Sequence, residues 1–298
     1  MGKGYIGEKF TVDGMITERV TRRLDEGIVP WAQPHIFTKY AWKRGNGKNY
    51  IPVNQLMLGV GGEYITPKKL AELGGHVKTT VNAEGVEKKV PQTQVVGYFV
   101  GKHTETDAEG NETEVDNNYV SLKYFGVYNV ALDTDLEVRY NEMPTLRSGD
   151  VEELAGEYIM NHRILFFTCD EDAVEAEYNA DINAITMPDK DRFFSEIDYL
   201  HTLLHEVAHA AAKNIGVNMV GEYSFEADST ADELIAEITA CSILADYGIA
   251  VGDTLARGRT YCEKWSVALK NDLKMITKCA NIAKKCYNEI LGIGAENE

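Results

Sequence analysis

Several features that would place this chain in a narrow class are missing from its 298 residues. No run of about 18 apolar residues occurs, so the sequence predicts no membrane-spanning helix and no membrane partner. The first residues lack the apolar stretch of a signal peptide, and we therefore expect a cytoplasmic protein. The five cysteines are odd in number and include no C-x-x-C pair, which argues against a disulfide framework and against a cysteine-based zinc ribbon.

Positive charge is scarce as well, since 30 Lys and Arg face 47 Asp and Glu and the net charge is -17. Such a balance ordinarily argues against nucleic-acid binding, which requires local cations. The distribution is uneven, however, because residues 1–100 hold 14 basic against 9 acidic side chains and are net positive. This difference indicates two units with different partners. Chance variation among so few charged residues would also give a net positive first third.

The length and the apolar content of 44% suit one or two domains with buried cores. We predict an α+β protein with a small α+β domain over residues 1–145 and a mostly helical domain with a small sheet over residues 146–298. The boundary falls in a predicted linker that spans residues 133–150. Helical spacing and capping residues predict helices at residues 12–27, 53–58, 67–73, 151–162, 199–214, 230–247 and 259–291.

Two segments rich in β-branched and aromatic residues, 95–100 and 119–125, are predicted strands. The acidic, polar residues 104–118 between them predict a solvated hairpin loop. A short edge hairpin is predicted within residues 176–187. No internal repeat or low-complexity tract is present.

The strongest motif is H-E-V-A-H at residues 205–209, inside one of the predicted helices. Two histidines four apart share a helix face and can bind one metal ion, so His205 and His209 are predicted zinc ligands. Glu206 lies beside the first ligand, where it can take a proton from metal-bound water. An amphipathic helix with two ordinary histidines is the alternative.

A second helix favours the metal interpretation, because it carries Glu233 and Glu237 four residues apart among apolar side chains. Carboxylates on a helix that is otherwise buried need partners. We predict Glu233 as the third ligand, with the fourth position left to water, and Glu237 as a group that orients a ligand histidine. One Zn²⁺ per chain is expected.

This set predicts metal-assisted hydrolysis of an amide, in which Glu206 activates the zinc-bound water. An oxyanion donor is also required, and the sequence leaves Tyr223, Tyr247 and His201 unranked. His201 lies one turn before His205, where a hydrogen-bonded neighbour is more common than a fourth ligand.

The basic first half carries cations interleaved with rings, the combination that sequence-tolerant binding of single strands requires. Trp31 and Trp42 fit a buried core equally well, and the lysines suit an ordinary solvated surface. The predicted DNA-binding residues are Trp31, Trp42, Lys43, Arg44, Lys48, Tyr50, Lys68, Lys69 and Lys78.

Ordered segments along nearly the whole chain resemble the ArdC-type antirestriction proteins of plasmids and other mobile elements, whose relatives include the N-terminal region of the TraC primase. Two features depart from that pattern, the acidic insert at residues 104–118 and the Ala210-Ala211 pair where an aromatic residue usually follows the second metal histidine. The matching segments are residues 27–31, 47–54, 70–78, 124–130, 182–188, 193–210, 233–237 and 261–265.

The resemblance implies an N-terminal single-stranded-DNA-binding domain, a C-terminal zincin domain and an antirestriction function. Three functions stay open: a DNA-binding metallopeptidase that acts on an unknown protein substrate, a non-catalytic DNA-protecting protein with structural zinc, and a peptidase whose first domain recognises protein. Glu206 favours the first over the second, because a structural site needs no base beside its ligand.

Overall fold

A computed structural model describes residues 11–32, 43–58, 62–81, 83, 85–106, 112–139, 148–169, 175–216, 230–249 and 259–294. Helices and small sheets alternate in an α+β arrangement, as predicted from the sequence. Within these ranges no helix combines the length and the apolar character needed to cross a membrane.

The first helix, α1 (Val12–Asp25), begins where the Thr11 hydroxyl accepts a hydrogen bond from the Gly14 amide at 3.0 Å. Its buried face includes Ile16, Val20 and Leu24, which recur at helical spacing and have at most 2% exposed surface. The helix prediction for residues 12–27 is thus confirmed to within two residues at the C-terminal end.

The rest of the N-terminal half consists of small sheets and short helices. The elements are β1 (Lys43–Arg44), α2 (Pro52–Met57), β2 (Glu63–Ile65), α3 (Pro67–Glu72), β3 (Thr79–Val81), β4 (Glu87–Lys89), β5 (Thr93–Thr106), β6 (Glu112–Asn129) and α4 (Val130–Asp133). A four-stranded sheet has the order β1-β2-β6-β5, in which β1 and β2 are parallel and the other neighbours are antiparallel. A separate two-stranded sheet pairs β3 with β4.

The loop expected over residues 104–118 is largely strand instead. β5 and β6 pair in register as far as Thr106 opposite Glu112, with one irregularity between Val100 and Lys102. Backbone hydrogen bonding therefore outweighs the polar, acidic composition, because an exposed two-stranded ribbon can leave its side chains in water. Only residues 107–111 of the expected loop lie outside the described part of the chain.

Asn54 joins α2 to the base of this hairpin. Its side-chain amide donates to the Val96 carbonyl at 2.7 Å and its oxygen accepts from the Val96 amide at 2.8 Å. Asn54 and Val96 are both buried, so this side chain satisfies the backbone N–H and C=O of Val96 as a neighbouring strand would.

The C-terminal half contains helices and one small sheet. The elements are α5 (Ser148–Asn161), β7 (Leu165–Cys169), β8 (Glu177–Asn179), β9 (Ala184–Pro188), α6 (Glu196–Asn214), α7 (Thr230–Asp246), α8 (Arg259–Asn271) and α9 (Met275–Ile290). The three strands form a sheet with the order β7-β9-β8, in which β7 runs parallel and β8 antiparallel to β9. The hairpin of β8 and β9 corresponds to the predicted edge hairpin, whereas β7 was not predicted.

The single long helix expected over residues 259–291 is wrong, since α8 and α9 are separate helices. At the break, Asp272 Oδ1 accepts from the Lys274 amide at 3.0 Å, and the Thr17 hydroxyl of α1 donates to the Leu273 carbonyl at 3.0 Å. These bonds satisfy groups that a continuous helix would have used. The break lets α8 pack on α1 while α9 packs on α7.

One hydrophobic core runs through both halves of the chain. Trp31 and Trp265 meet edge to face within it, with ring centroids 5.0 Å apart. The domain boundary expected near residue 145 falls in residues 140–147, outside the described residues, and the division at that point stays a prediction.

An ion pair between a buried carboxylate and a partly exposed guanidinium supplies one stability prediction. Glu63 has no exposed side-chain surface, and Arg139 donates to it through its backbone amide and Nε, each at 3.1 Å, and through Nη2. We expect Arg139→Ala to lower the free energy of unfolding by about 1 to 3 kcal/mol, because it leaves a buried carboxylate with one backbone donor.

Denaturant unfolding measures this loss, and Lys69→Ala is the matched control. Lys69 lies 3.1 Å from Glu72 in a solvent-exposed pair, which contributes at most about 1 kcal/mol. Equal effects of the two substitutions would contradict the assignment of Arg139 as the partner that the buried Glu63 carboxylate requires.

Candidate metal centre

The centre lies between helices α6 and α7, which pack against each other. α6 begins after Ser195, whose hydroxyl accepts from the Asp198 amide at 3.2 Å. Leu200, Leu204 and Val207 are fully buried on its apolar side. The period of 3.6 residues then turns His205 and His209 toward α7.

The structure brings together the three residues predicted as metal ligands. His205 Nε2 lies 3.2 Å from Glu233 Oε2, and His209 Nε2 lies 3.7 Å from Glu233 Oε1. One ligand atom from each residue falls within a group whose members are at most 4.8 Å apart. Two imidazole nitrogens and one carboxylate oxygen form a donor set suited to a divalent cation, with Zn²⁺ among the metals that use it.

Glu206 is buried on the same helix with 6% of its surface exposed. Burial raises the pKa of its carboxyl, and the neighbouring His205 and His209 partly oppose this increase. The backbone amide of Tyr178 in β8 donates a hydrogen bond to the carboxyl, which also opposes it. The carboxyl therefore lies between the sheet edge and the two histidines, in an environment that favours a proton acceptor with a raised pKa.

Two carboxylates face the opposite ring nitrogens of the histidines. Glu237 Oε2 lies 3.4 Å from His205 Nδ1, and Asp232 Oδ2 lies 3.3 Å from His209 Nδ1. Each imidazole thus has Nε2 toward Glu233 and Nδ1 toward a carboxylate, which fixes the ring orientation. The sequence predicted this role for Glu237 but not for Asp232, whose only signal was its position immediately before Glu233.

The charge of His205 and the charges of Glu233 and Glu237 stabilise one another. Burial disfavours a charge on His205, but hydrogen bonds to Glu233 and Glu237 outweigh it and raise its pKa to about 10. Burial alone would raise the pKa of Glu237, yet the imidazoles of His201 and His205 hold it well below its usual range. The hydrogen bond from His205 lowers the pKa of Glu233. Without metal, a proton on His205 compensates the two glutamates.

Metal binding is therefore expected to release a proton and to tighten as the pH rises. A ligand nitrogen must be unprotonated, so below its pKa of about 10 His205 has to lose its proton to the solvent. The apparent affinity should increase by up to about tenfold per pH unit for each proton released. Calorimetric metal titrations in buffers of different ionisation enthalpy count these protons. A metal affinity that is constant between about pH 6 and 8 would contradict this charge assignment.

The three residues considered as oxyanion donors lie in different places. Tyr223 lies outside the described residues. Tyr247 is half-buried against the hydrophobic core. His201 Nε2 lies 3.3 Å from Glu237 Oε2, which places it as a hydrogen-bonded neighbour of the centre.

Two residues predicted to stack on DNA bases are wrong in that role. Trp31 has no exposed surface and Tyr50 has 5%, because both rings are packed in the core. The Tyr50 ring meets Tyr64 edge to face and has the Arg44 guanidinium 5.7 Å from its centroid. Neither ring is accessible to a base.

The remaining predicted DNA-binding residues are cations and one tryptophan. Arg44, Lys48, Lys68 and Lys78 are exposed, while Lys69 is partly exposed and paired with Glu72. Trp42 and the side chain of Lys43 lie outside the described part of the structure.

Exposed rings occur instead in the middle of the β5/β6 hairpin. Tyr98 and Tyr124 are 51% and 50% exposed. They lie on the same face of the ribbon, because Tyr124 pairs with Val96 and Tyr98 pairs with Leu122. Phe99 lies on the opposite face beneath Lys123, whose Nζ is 5.6 Å from the ring centroid. The sequence pattern predicted these positions only as strand-forming residues.

Comparison with known proteins assigns both halves. Residues 11–130 match the family described as the N-terminal domain of anti-restriction factor ArdC, and residues 157–282 match the zincin-like metallopeptidase family. Fold and site thus define an ArdC N-terminal domain joined to a zincin-like metallopeptidase domain. The chain belongs to the ArdC-type antirestriction proteins.

Individual relatives agree with this assignment. A crystal structure of antirestriction protein ArdC from plasmid R388 superposes with a TM-score of 0.68 at 25% identity and covers 97% of this chain and 100% of that chain. A Mn(II)-bound structure of that protein gives the same TM-score at 24% identity, with the same coverage of both chains. The DNA primase TraC of Escherichia coli is 24% identical over 308 residues, which cover 93% of this chain and 26% of the primase.

Proposed function

We propose that this protein is a single-stranded-DNA-binding antirestriction protein whose C-terminal half is a zinc-dependent peptidase that acts in the cytoplasm. The observation that carries the peptidase part is the convergence of His205, His209 and Glu233 beside the buried Glu206. A structural zinc site has four protein ligands and needs no carboxylate next to them, whereas a hydrolytic site leaves a position open.

Zinc fits the donor set, and His205, His209 and Glu233 would hold one ion per chain. A divalent ion bound there would supply Lewis acidity to a water molecule and to the carbonyl of a peptide bond. Glu237 and Asp232 keep the imidazole rings turned toward it through their contacts with the Nδ1 atoms.

Glu206 is the general base in this proposal. Its buried carboxylate accepts the proton of the attacking water and can return it to the leaving nitrogen, which a group with a raised pKa does more readily. The amide of Tyr178 keeps the carboxylate at the edge of β8, beside the histidines. Metal-dependent cleavage of an unfolded protein such as casein, abolished by a chelator and restored by Zn²⁺, tests the peptidase directly.

The DNA-binding part rests on the N-terminal half. That half matches an ArdC N-terminal domain, and nearly the whole chain is similar to part of a DNA primase. Exposed cations, including Lys48 and Lys68, supply contacts to phosphates, and the half-exposed rings of Tyr98 and Tyr124 supply surfaces for bases.

Fluorescence anisotropy with a labelled single-stranded oligonucleotide tests this surface. We expect binding that weakens with salt, and Lys48→Ala and Lys68→Ala should each reduce the salt slope by about 0.7 if that lysine neutralises one phosphate. Tyr98→Ala and Tyr124→Ala should each cost about 1 to 3 kcal/mol if a base stacks on that ring. Lys190→Ala, in the C-terminal half, is the control that should bind normally.

The alternative function is protection of single strands by occupancy alone, with a structural metal. It would be supported if oligonucleotide binding is strong while no metal-dependent cleavage occurs with or without DNA. A wild-type protein that binds no oligonucleotide at any salt concentration would instead favour a protein-recognising first domain and remove the DNA part of the proposal.

A further inference from the structure

A second cluster of metal-ligand side chains lies one helical turn from the first. Going back one turn on α6 leads from His205 to His201, and going forward one turn on α7 leads from Glu233 to Glu237. The next turn of α7 adds Cys241. The same pair of helices therefore places a histidine opposite a carboxylate at two positions. The second position also has the thiol of Cys241.

The three side chains already lie at ligand spacing. His201 Nε2 is 3.3 Å from Glu237 Oε2, Cys241 Sγ is 3.7 Å from Glu237 Oε1, and Cys241 Sγ is 3.8 Å from His201 Nε2. Zinc bond lengths of about 2.0 to 2.3 Å in a tetrahedron require edges of about 3.3 Å between nitrogen and oxygen and about 3.5 Å to sulfur. The three contacts agree with these lengths to within about 0.3 Å, and the two that involve Glu237 use different carboxylate oxygens. One ligand atom from each of the three residues falls within a group whose members are at most 4.8 Å apart.

The charges of this cluster suit a divalent cation. Glu237 and a Cys241 thiolate together carry two negative charges, so a bound dication gives a neutral complex in a buried place. Burial and the neighbouring Glu237 raise the pKa of Cys241 well above its ordinary value, which keeps the thiol protonated without a cation. A cation reverses that influence, because its charge favours the thiolate.

We propose that His201, Glu237 and Cys241 form a second binding site for a thiol-preferring divalent cation such as Zn²⁺, distinct from the site of His205, His209 and Glu233. Binding releases the Cys241 proton to solvent and leaves His201 neutral with its proton on Nδ1. Glu237 can take part through Oε1, on the Cys241 side, while Oε2 keeps its contact with His205 Nδ1. The proposal is independent of whether the first site hydrolyses peptides.

Cobalt titration of the full chain, after metal removal with a chelator, tests this site. We expect two equivalents of Co²⁺ per chain and a near-ultraviolet thiolate-to-cobalt charge-transfer band, which only a sulfur ligand produces. Mn²⁺, which prefers oxygen ligands, should bind with one equivalent fewer. The variant Cys241→Ser should lose the band and one equivalent, whereas His205→Ala should lose one equivalent and keep the band.

The wild-type spectrum can overturn the proposal even if a variant fails to fold. One equivalent of Co²⁺ without a thiolate band overturns the proposal, because the cluster is then only a hydrogen-bonded network around Glu237. Cys169→Ser is the matched control, since Cys169 lies on β7 outside this cluster. A band absent from Cys169→Ser and kept in Cys241→Ser would also overturn the proposal.

Discussion

Replacing Glu206 by glutamine is expected to abolish metal-dependent peptide hydrolysis while leaving metal binding intact. The glutamine oxygen can still accept the hydrogen bond of the Tyr178 amide, so the shape of the site is kept. Glutamine cannot accept a proton from water, and loss of a general base typically lowers the rate about 10² to 10⁴-fold. The rate of casein cleavage and the zinc content of the purified variant measure the two parts of this prediction.

Glu196→Gln is the matched control, because Glu196 lies exposed at the start of the same helix. Its cleavage rate should equal that of the wild type. If Glu206→Gln cleaves as fast as the wild type with full zinc, Glu206 is not the base, and the non-catalytic function gains support.

Replacing His205 by alanine is expected to remove stoichiometric metal from the first site. The substitution deletes one of three ligands and also leaves Glu233 and Glu237 without the imidazole that both contact. The loss of affinity should exceed the roughly 10 to 100-fold that follows when only an orienting partner of a ligand is removed. Competition with a chromophoric chelator measures this affinity.

His76→Ala provides the comparison, since His76 is an exposed histidine paired with Asp135 in the N-terminal half. Its metal affinity should be unchanged. If His205→Ala keeps wild-type affinity, the ligand set is wrong, whatever the outcome for Glu206→Gln.

The sequence could predict which side chains of α6 and α7 share a helix face, because that information is local. Two histidines four apart, and a carboxylate pair four apart, need only a regular helix to share a face, and capping residues such as Ser195 mark where that helix begins. Which carboxylate orients which histidine depends on how α6 and α7 approach each other. Asp232 illustrates this limit, because its contact with His209 Nδ1 is set by helix packing.

The sequence failed where burial depends on distant partners. Trp31 stands between two prolines close to basic residues, and only the arrival of Trp265, more than two hundred residues later, makes it a core residue. The break between α8 and α9 likewise depends on Thr17 of α1, which no local pattern reports. Conversely, Tyr98 and Tyr124 look like ordinary strand residues in the sequence, and only the structure shows that about half of each residue's surface is exposed.

The packing of α1 has a consequence for cooperativity. This helix precedes the DNA-binding candidates in the chain and contacts α2 and β6, yet it also contacts α8 and α9 in the last third. These distant contacts include the Trp31 ring that follows the helix, the Thr17 hydroxyl, and the Asp25 carboxylate, which accepts from Ser266 and Lys270. Unfolding either half should therefore expose the core of the other, and calorimetry should record one transition.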